Sequence, residues 1–101
     1  MKLFSSVVLT SVLVISSQAM AGDVAAGKSA FAAKGCIGCH GAGGVSMVPT
    51  YPSLKGRDEA FVKENLTNFR SGARQNPTMN AMAAGLSDAD IENLAAYIGS
   101  L

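Results

Sequence analysis

The sequence predicts an all-α fold of three main helices and a long loop, and three observations carry that expectation. Val62, Leu66 and Phe69, and again Ile91, Leu94, Ala95 and Ile98, repeat at the spacing of one helix face. The stretch from Asp23 to Lys34 is rich in alanine, the strongest helix former. No alternating apolar and polar run is long enough to suggest a sheet, and no internal repeat is visible.

Taken in order, Asp23 suits the N-cap of a first helix reaching Lys34, with Gly35 as its stop. Gly43-Gly44, Pro49 and Pro52 then break any long regular element between Gly41 and Gly56, so this loop needs support from outside its own backbone. A second helix is predicted from Asp58 or Glu59 to Ser71, closed by Gly72. From Gly72 to Gly85, with Pro77 in the middle, the chain reads as irregular. A last helix opens at Ser87, where Ser87 and Asp90 form a weaker version of the Ser-x-x-Glu capping box, and runs to the C-terminus. Gly27 and Phe31 lie one turn apart on the first helix. A glycine facing an aromatic residue such as Tyr97 would let two helices cross closely, but spacing leaves a merely tolerated helix glycine equally open.

The first 21 residues read differently. Lys2, the apolar run Val7 to Ile15 and the small-residue stretch Ala19-Met20-Ala21 have the layout of a secretory signal peptide. The run is far shorter than the ~20 residues that span a bilayer. Residues 1–21 are therefore expected to be removed and residues 22–101 to form one exported, periplasmic domain with no membrane insertion after processing. Lys2 leaves with the leader, so the other seven basic residues balance the seven acidic ones. Nothing resembles the basic stripe that counters nucleic-acid phosphates, which excludes that class of partner. A domain this short buries little surface on folding and needs a staple. A bridge between its two cysteines would close too small a loop to supply one.

Cys36-Ile37-Gly38-Cys39-His40 is a C-x-x-C-H motif, the attachment signature of a c-type haem. Two thiols at this spacing can each add to one porphyrin vinyl group, and the histidine that follows is brought under the ring to bind iron. Zinc would need four ligands, and Cys36, Cys39 and His40 exhaust the cysteines and histidines. A thioredoxin-like dithiol would need a βαβ context that the chain lacks. A structural disulfide would leave the short core and the long loop unsupported. One covalent haem c answers both needs.

With no second histidine, the soft ligand for the sixth iron position is methionine. Met1 and Met20 go with the leader, and Met47 lies too close after His40 to cross to the other face. Met79 and Met82 both remain open, each with core packing as the plainer role.

Across nearly all of residues 22–101, the chain resembles the small class I cytochromes c of bacteria, in particular single-haem members related to the individual domains of dihaem cytochromes c. The resemblance rests on Gly22-Asp23, Gly27 and Phe31, Cys36 to Gly41, Pro52-Ser53-Leu54-Lys55-Gly56, Met79, Leu86-Ser87-Asp88 and Leu94 to Tyr97. It implies that Met79 is the distal ligand, with Met82 packing beside the ring near Leu86. It also implies that the first and last helices cross at Gly27, Phe31, Leu94 and Tyr97. By the same resemblance the Pro52 carbonyl accepts the Nδ1–H of His40, Pro49 being the substitute. The function this implies is a carrier of single electrons rather than an enzyme, serving redox partner proteins through transient contacts as a monomer or weak dimer. Ile37, Ala42 and Met82 are the expected docking rim. The alternative is a five-coordinate haem protein that binds gas or reduces peroxide, which requires Met79 to be off the iron.

Overall fold

The computed structural model describes residues 22–101; the expected leader, Met1 to Ala21, lies outside the described residues. The described chain runs through α1 (Val24–Ala33), α2 (Cys36–His40), a 3-10 turn at Ala42–Gly44, α3 (Glu59–Ser71), α4 (Pro77–Ala84) and α5 (Asp88–Gly99). No strand occurs among the described residues. None of these helices is long and apolar enough to cross a membrane.

The caps explain the boundaries. Asp23 Oδ1 accepts from the backbone N–H groups of Ala25 and Ala26 at 2.8 and 3.2 Å, starting α1. Asp58 Oδ1 accepts from Phe61 N at 2.7 Å, starting α3, and Gly72 ends it in the left-handed region. At α5 the Ser87 hydroxyl accepts from Asp90 N and the Asp90 carboxylate accepts from Ser87 N, both at 3.0 Å. The backbone N–H of Ser87 holds the Asp90 carboxyl below the usual carboxylate range. Such reciprocal bonds satisfy the donors a helix start leaves free.

α5 packs against α1 and α3, and α4 packs against α3. Ile91, Leu94, Ala95 and Ile98 are all buried, as their spacing predicts, and Val62 joins them with Leu66 and Phe69 packed at the margin. Phe31 and Tyr97 meet edge to face, centroids 5.5 Å apart, across the α1–α5 crossing. That geometry adds ~0.5–1.5 kcal/mol beyond burial alone. Arg70, in the last turn of α3, donates to Leu86 O at 3.2 Å and to Asp88 Oδ1 at 2.6 Å, fixing the approach to α5.

The crossing settles the role of Gly27. A Cβ there would stand 1.9 Å from Asn93 O and 2.7 Å from Tyr97 Cβ, and neither is the tip of a flexible side chain. Gly27→Ala is therefore expected to push α1 off α5 and destabilise the holoprotein by about 1–3 kcal/mol. That outweighs the ~1 kcal/mol alanine gains in helix propensity. Urea unfolding would register the loss, and an unchanged or higher midpoint would mean that the crossing is looser than described.

Two expectations need correction. Gly72 to Gly85 is not irregular throughout, because residues 77–84 form α4, a shorter helix beside the three main ones predicted. Pro77 starts that helix rather than breaking it. It occupies the first helical position, where a missing N–H costs nothing, and the Asn76 side chain caps Met79 N. The loop after His40 also carries more of its own support than expected. Gly44 O accepts from Leu54 N at 2.7 Å and Lys55 N at 3.1 Å, and Ser46 N donates to Ser53 Oγ at 2.9 Å.

Candidate haem site

The C-x-x-C-H motif is itself a helix. One turn, Cys36–His40, places Cys36, Cys39 and His40 at i, i+3 and i+4, so the two sulfurs and the imidazole share a face. Gly41 follows at φ 82°, and a Cβ there would lie 1.8 Å from Val45 O. No other residue can turn the chain this tightly after His40.

Both thiols are free and half-buried. Burial pushes the Cys36 pKa up, and the neighbouring Cys39 adds to the rise. A catalytic dithiol works through a thiol pKa lowered toward neutrality, and Cys36 is shifted the opposite way. Nor do the thiols converge with other ligands. Among the described residues no group of three or more His, Cys, Asp or Glu side chains is arranged to hold a metal ion. The zinc reading therefore has no geometry behind it.

His40 is buried, 9% exposed, with Nδ1 2.8 Å from the carbonyl oxygen of Pro52. A carbonyl only accepts, so Nδ1 carries the proton and Nε2 keeps its lone pair. Pro49 makes no such contact; Pro52 is the partner. The bond spans 12 residues and anchors the far side of the loop on the imidazole, fixing the plane of the ring.

His40 and Cys36 open onto a cleft with about 400 Å³ of non-protein space, part of it open to solvent. Phe31, Leu54, Leu66, Leu86, Leu94 and Ile98 form its apolar walls, and α4 contributes Met79 and Met82. The fit to a haem is therefore good on three counts: two thiols on one helical face, an oriented imidazole with a free lone pair, and thioether sulfurs lining an otherwise apolar cleft. Of the expected rim, Ile37 and Met82 are 41% and 39% exposed and Ala42 is also exposed. No sequence signal marks the exposed apolar residues in the loop after His40, where Met47 is 90% exposed and Val48 and Tyr51 are also out in solvent.

The two methionines are distinguished by their surroundings. Met79 is half-buried in the first turn of α4, and its N–H donates to Asn76 Oδ1 at 3.0 Å. Met82 is more exposed, and its methyl group lies 3.6 Å from where a Cβ on Gly35 would stand, at the corner leading into α2.

The chain is similar to known proteins along most of its length. The family model described as "Cytochrome c" matches residues 24–101. Cytochrome c-554(548) of Halomonas halodenitrificans is 39% identical over 83 residues, covering 79% of this chain and 98% of that protein. The thiosulfate dehydrogenase electron acceptor of Stutzerimonas stutzeri is 38% identical over 94 residues, covering 88% of this chain and 44% of that protein. Among solved structures, cytochrome c4 of Acidithiobacillus ferrooxidans superposes with a TM-score of 0.71 at 30% identity, covering 77% of this chain and 49% of that one. The chain thus spans nearly all of the first relative and less than half of the other two.

Proposed function

The chain belongs to the cytochrome c family and carries one covalent haem c, and we propose that it is a periplasmic carrier of single electrons whose iron is held between His40 and Met79. The observation that carries the ligand assignment is the bond from His40 Nδ1–H to Pro52 O, which leaves Nε2 as a fixed donor in the cleft that Met79 also lines. Bound haem c supplies a one-electron iron couple, and the protein tunes it through axial ligands, hydrogen bonds and burial.

Each residue then has a task. Cys36 and Cys39 would hold the ring to α2 through two thioether bonds. Pro52 O orients the His40 imidazole and raises its basicity. Met79 would supply a soft sulfur that favours the reduced iron. Phe31, Leu54, Leu66 and Leu94 keep water from the buried ring face. With His40 and Met79 both holding the iron, the chain would leave no site for oxygen or peroxide, which would separate a carrier from an enzyme.

The similarity to a protein named as an electron acceptor of thiosulfate dehydrogenase supports redox proteins as partners. Contacts of this kind are small, commonly under ~1,200 Å². The exposed Ile37 and Met82 beside the cleft suit such a transient, apolar encounter.

Mass spectrometry of the protein isolated from the periplasm tests attachment and export together. The expected mass is one haem plus a chain beginning at Gly22, with the haem resisting extraction by acidified acetone. A colourless protein with a Cys36–Cys39 disulfide would end this reading.

A further inference from the structure

We propose that Asn80 is a positioning residue for Met79, a side-chain clamp that holds the first turn of α4 against α3 so that the thioether stays on the iron. The inference rests on Met79 being the axial ligand, as proposed above.

α4 is a short, largely exposed helix. It has eight residues, of which only Ala83 is buried, and so short a helix is marginal without tertiary support. Asn80 supplies that support from the position next to Met79. Its Nδ2 group donates to Phe69 O and to Arg74 O, both at 2.9 Å, while Oδ1 accepts from Asn76 N at 2.8 Å. Phe69 O is one of the terminal carbonyls α3 leaves without a helical partner. One amide therefore ties together the end of α3, the connecting loop and the N-cap of α4. Its orientation is fixed, since turning it over would set its oxygen against two carbonyls and its NH₂ group against an N–H.

The connecting loop that Asn80 grips is itself seated on α3. Arg74 N donates to Asn68 O at 3.1 Å, and the Arg74 guanidinium lies 4.8 Å from the centre of the Phe69 ring. When the start of α4 swings away and carries Met79 off the iron, the Asn80 bonds break with it. An added ligand that needs the vacated position binds more weakly by the factor the clamp contributes.

The test is an imidazole titration of the oxidised holoprotein followed by its optical spectrum, on the wild type, Asn80→Ala, Asn80→Asp and Asp23→Ala. Asn80→Asp keeps the shape but turns a carboxylate toward two carbonyls, so it should behave like the alanine variant. Asp23→Ala removes the α1 cap, remote from α4, and controls for general loosening. Both Asn80 variants should bind imidazole about tenfold more tightly, equal to ~1.4 kcal/mol. Before imidazole is added they should keep the weak near-infrared sulfur-to-iron band. Asp23→Ala should match the wild type. Wild-type affinity in both Asn80 variants, or equal tightening in Asp23→Ala, would overturn the clamp alone. A near-infrared band that survives Met79→Ala would overturn the clamp and the ligand assignment together.

Discussion

Replacing Cys36 and Cys39 together with alanine is expected to leave a colourless chain with little stable helix. The described domain buries Phe31, Val62, Leu86 and a few residues of α5 as its larger apolar side chains, and apolar residues also line the cleft beside them. Domains near this size bury too little surface to be robust alone. Without a ring in the cleft, Leu54, Leu66, Met79 and Met82 face water or collapse on one another. The loss should be uneven. α1 and α5 share the Phe31–Tyr97 contact and should persist longest, whereas α2 and α4, which supply Cys36, His40, Met79 and Met82 to the cleft, should loosen first. Far-ultraviolet circular dichroism with urea titration would show this as weak helix and a shallow transition. A cooperative, native-like transition in the double variant would show that the protein core suffices.

Met79→Ala should open the iron, abolish the near-infrared sulfur-to-iron band of the oxidised protein and lower the potential. The shift should be on the order of tenths of a volt, within the ~0.8 V that axial ligands span. Met82→Ala should keep the band and move the potential only slightly. The contrast matters because residues 77–84 are helical, so Met79 and Met82, three positions apart, project from one side of α4 and both line the cleft. Their surroundings favour Met79. It is half-buried with its backbone capped by Asn76, whereas Met82 is 39% exposed and reaches toward Gly35 beside the attachment helix. If Met82→Ala loses the band and Met79→Ala keeps it, the ligand lies one turn further along α4.

Much of this architecture is legible in the sequence where one residue type has one structural use. Asp23, Asp58 and Ser87 each precede an apolar or alanine-rich stretch, and each caps a helix. The C-x-x-C-H spacing admits little other chemistry, and the stripe from Ile91 to Ile98 can only be a buried helix face. Legibility fails where a residue has two uses. Pro77 breaks a helix from inside but starts one at its first position, and only the Asn76 cap distinguishes the two. Gly27 is either tolerated or required, and the answer lies in Asn93 and Tyr97, more than 60 positions away. Asn80 carries no sequence signal, because its partners Phe69 O and Arg74 O are backbone atoms that any residue would present.

The proposed carrier has a closed, six-coordinate iron. The most direct measurement is a redox titration of the wild-type holoprotein followed optically, with carbon monoxide added to the reduced form. The expected result is a single one-electron step, a near-infrared sulfur-to-iron band in the oxidised state, and a reduced spectrum unchanged by carbon monoxide. Immediate conversion to a carbon monoxide adduct, with no sulfur-to-iron band on oxidation, would contradict it and point to an open iron site.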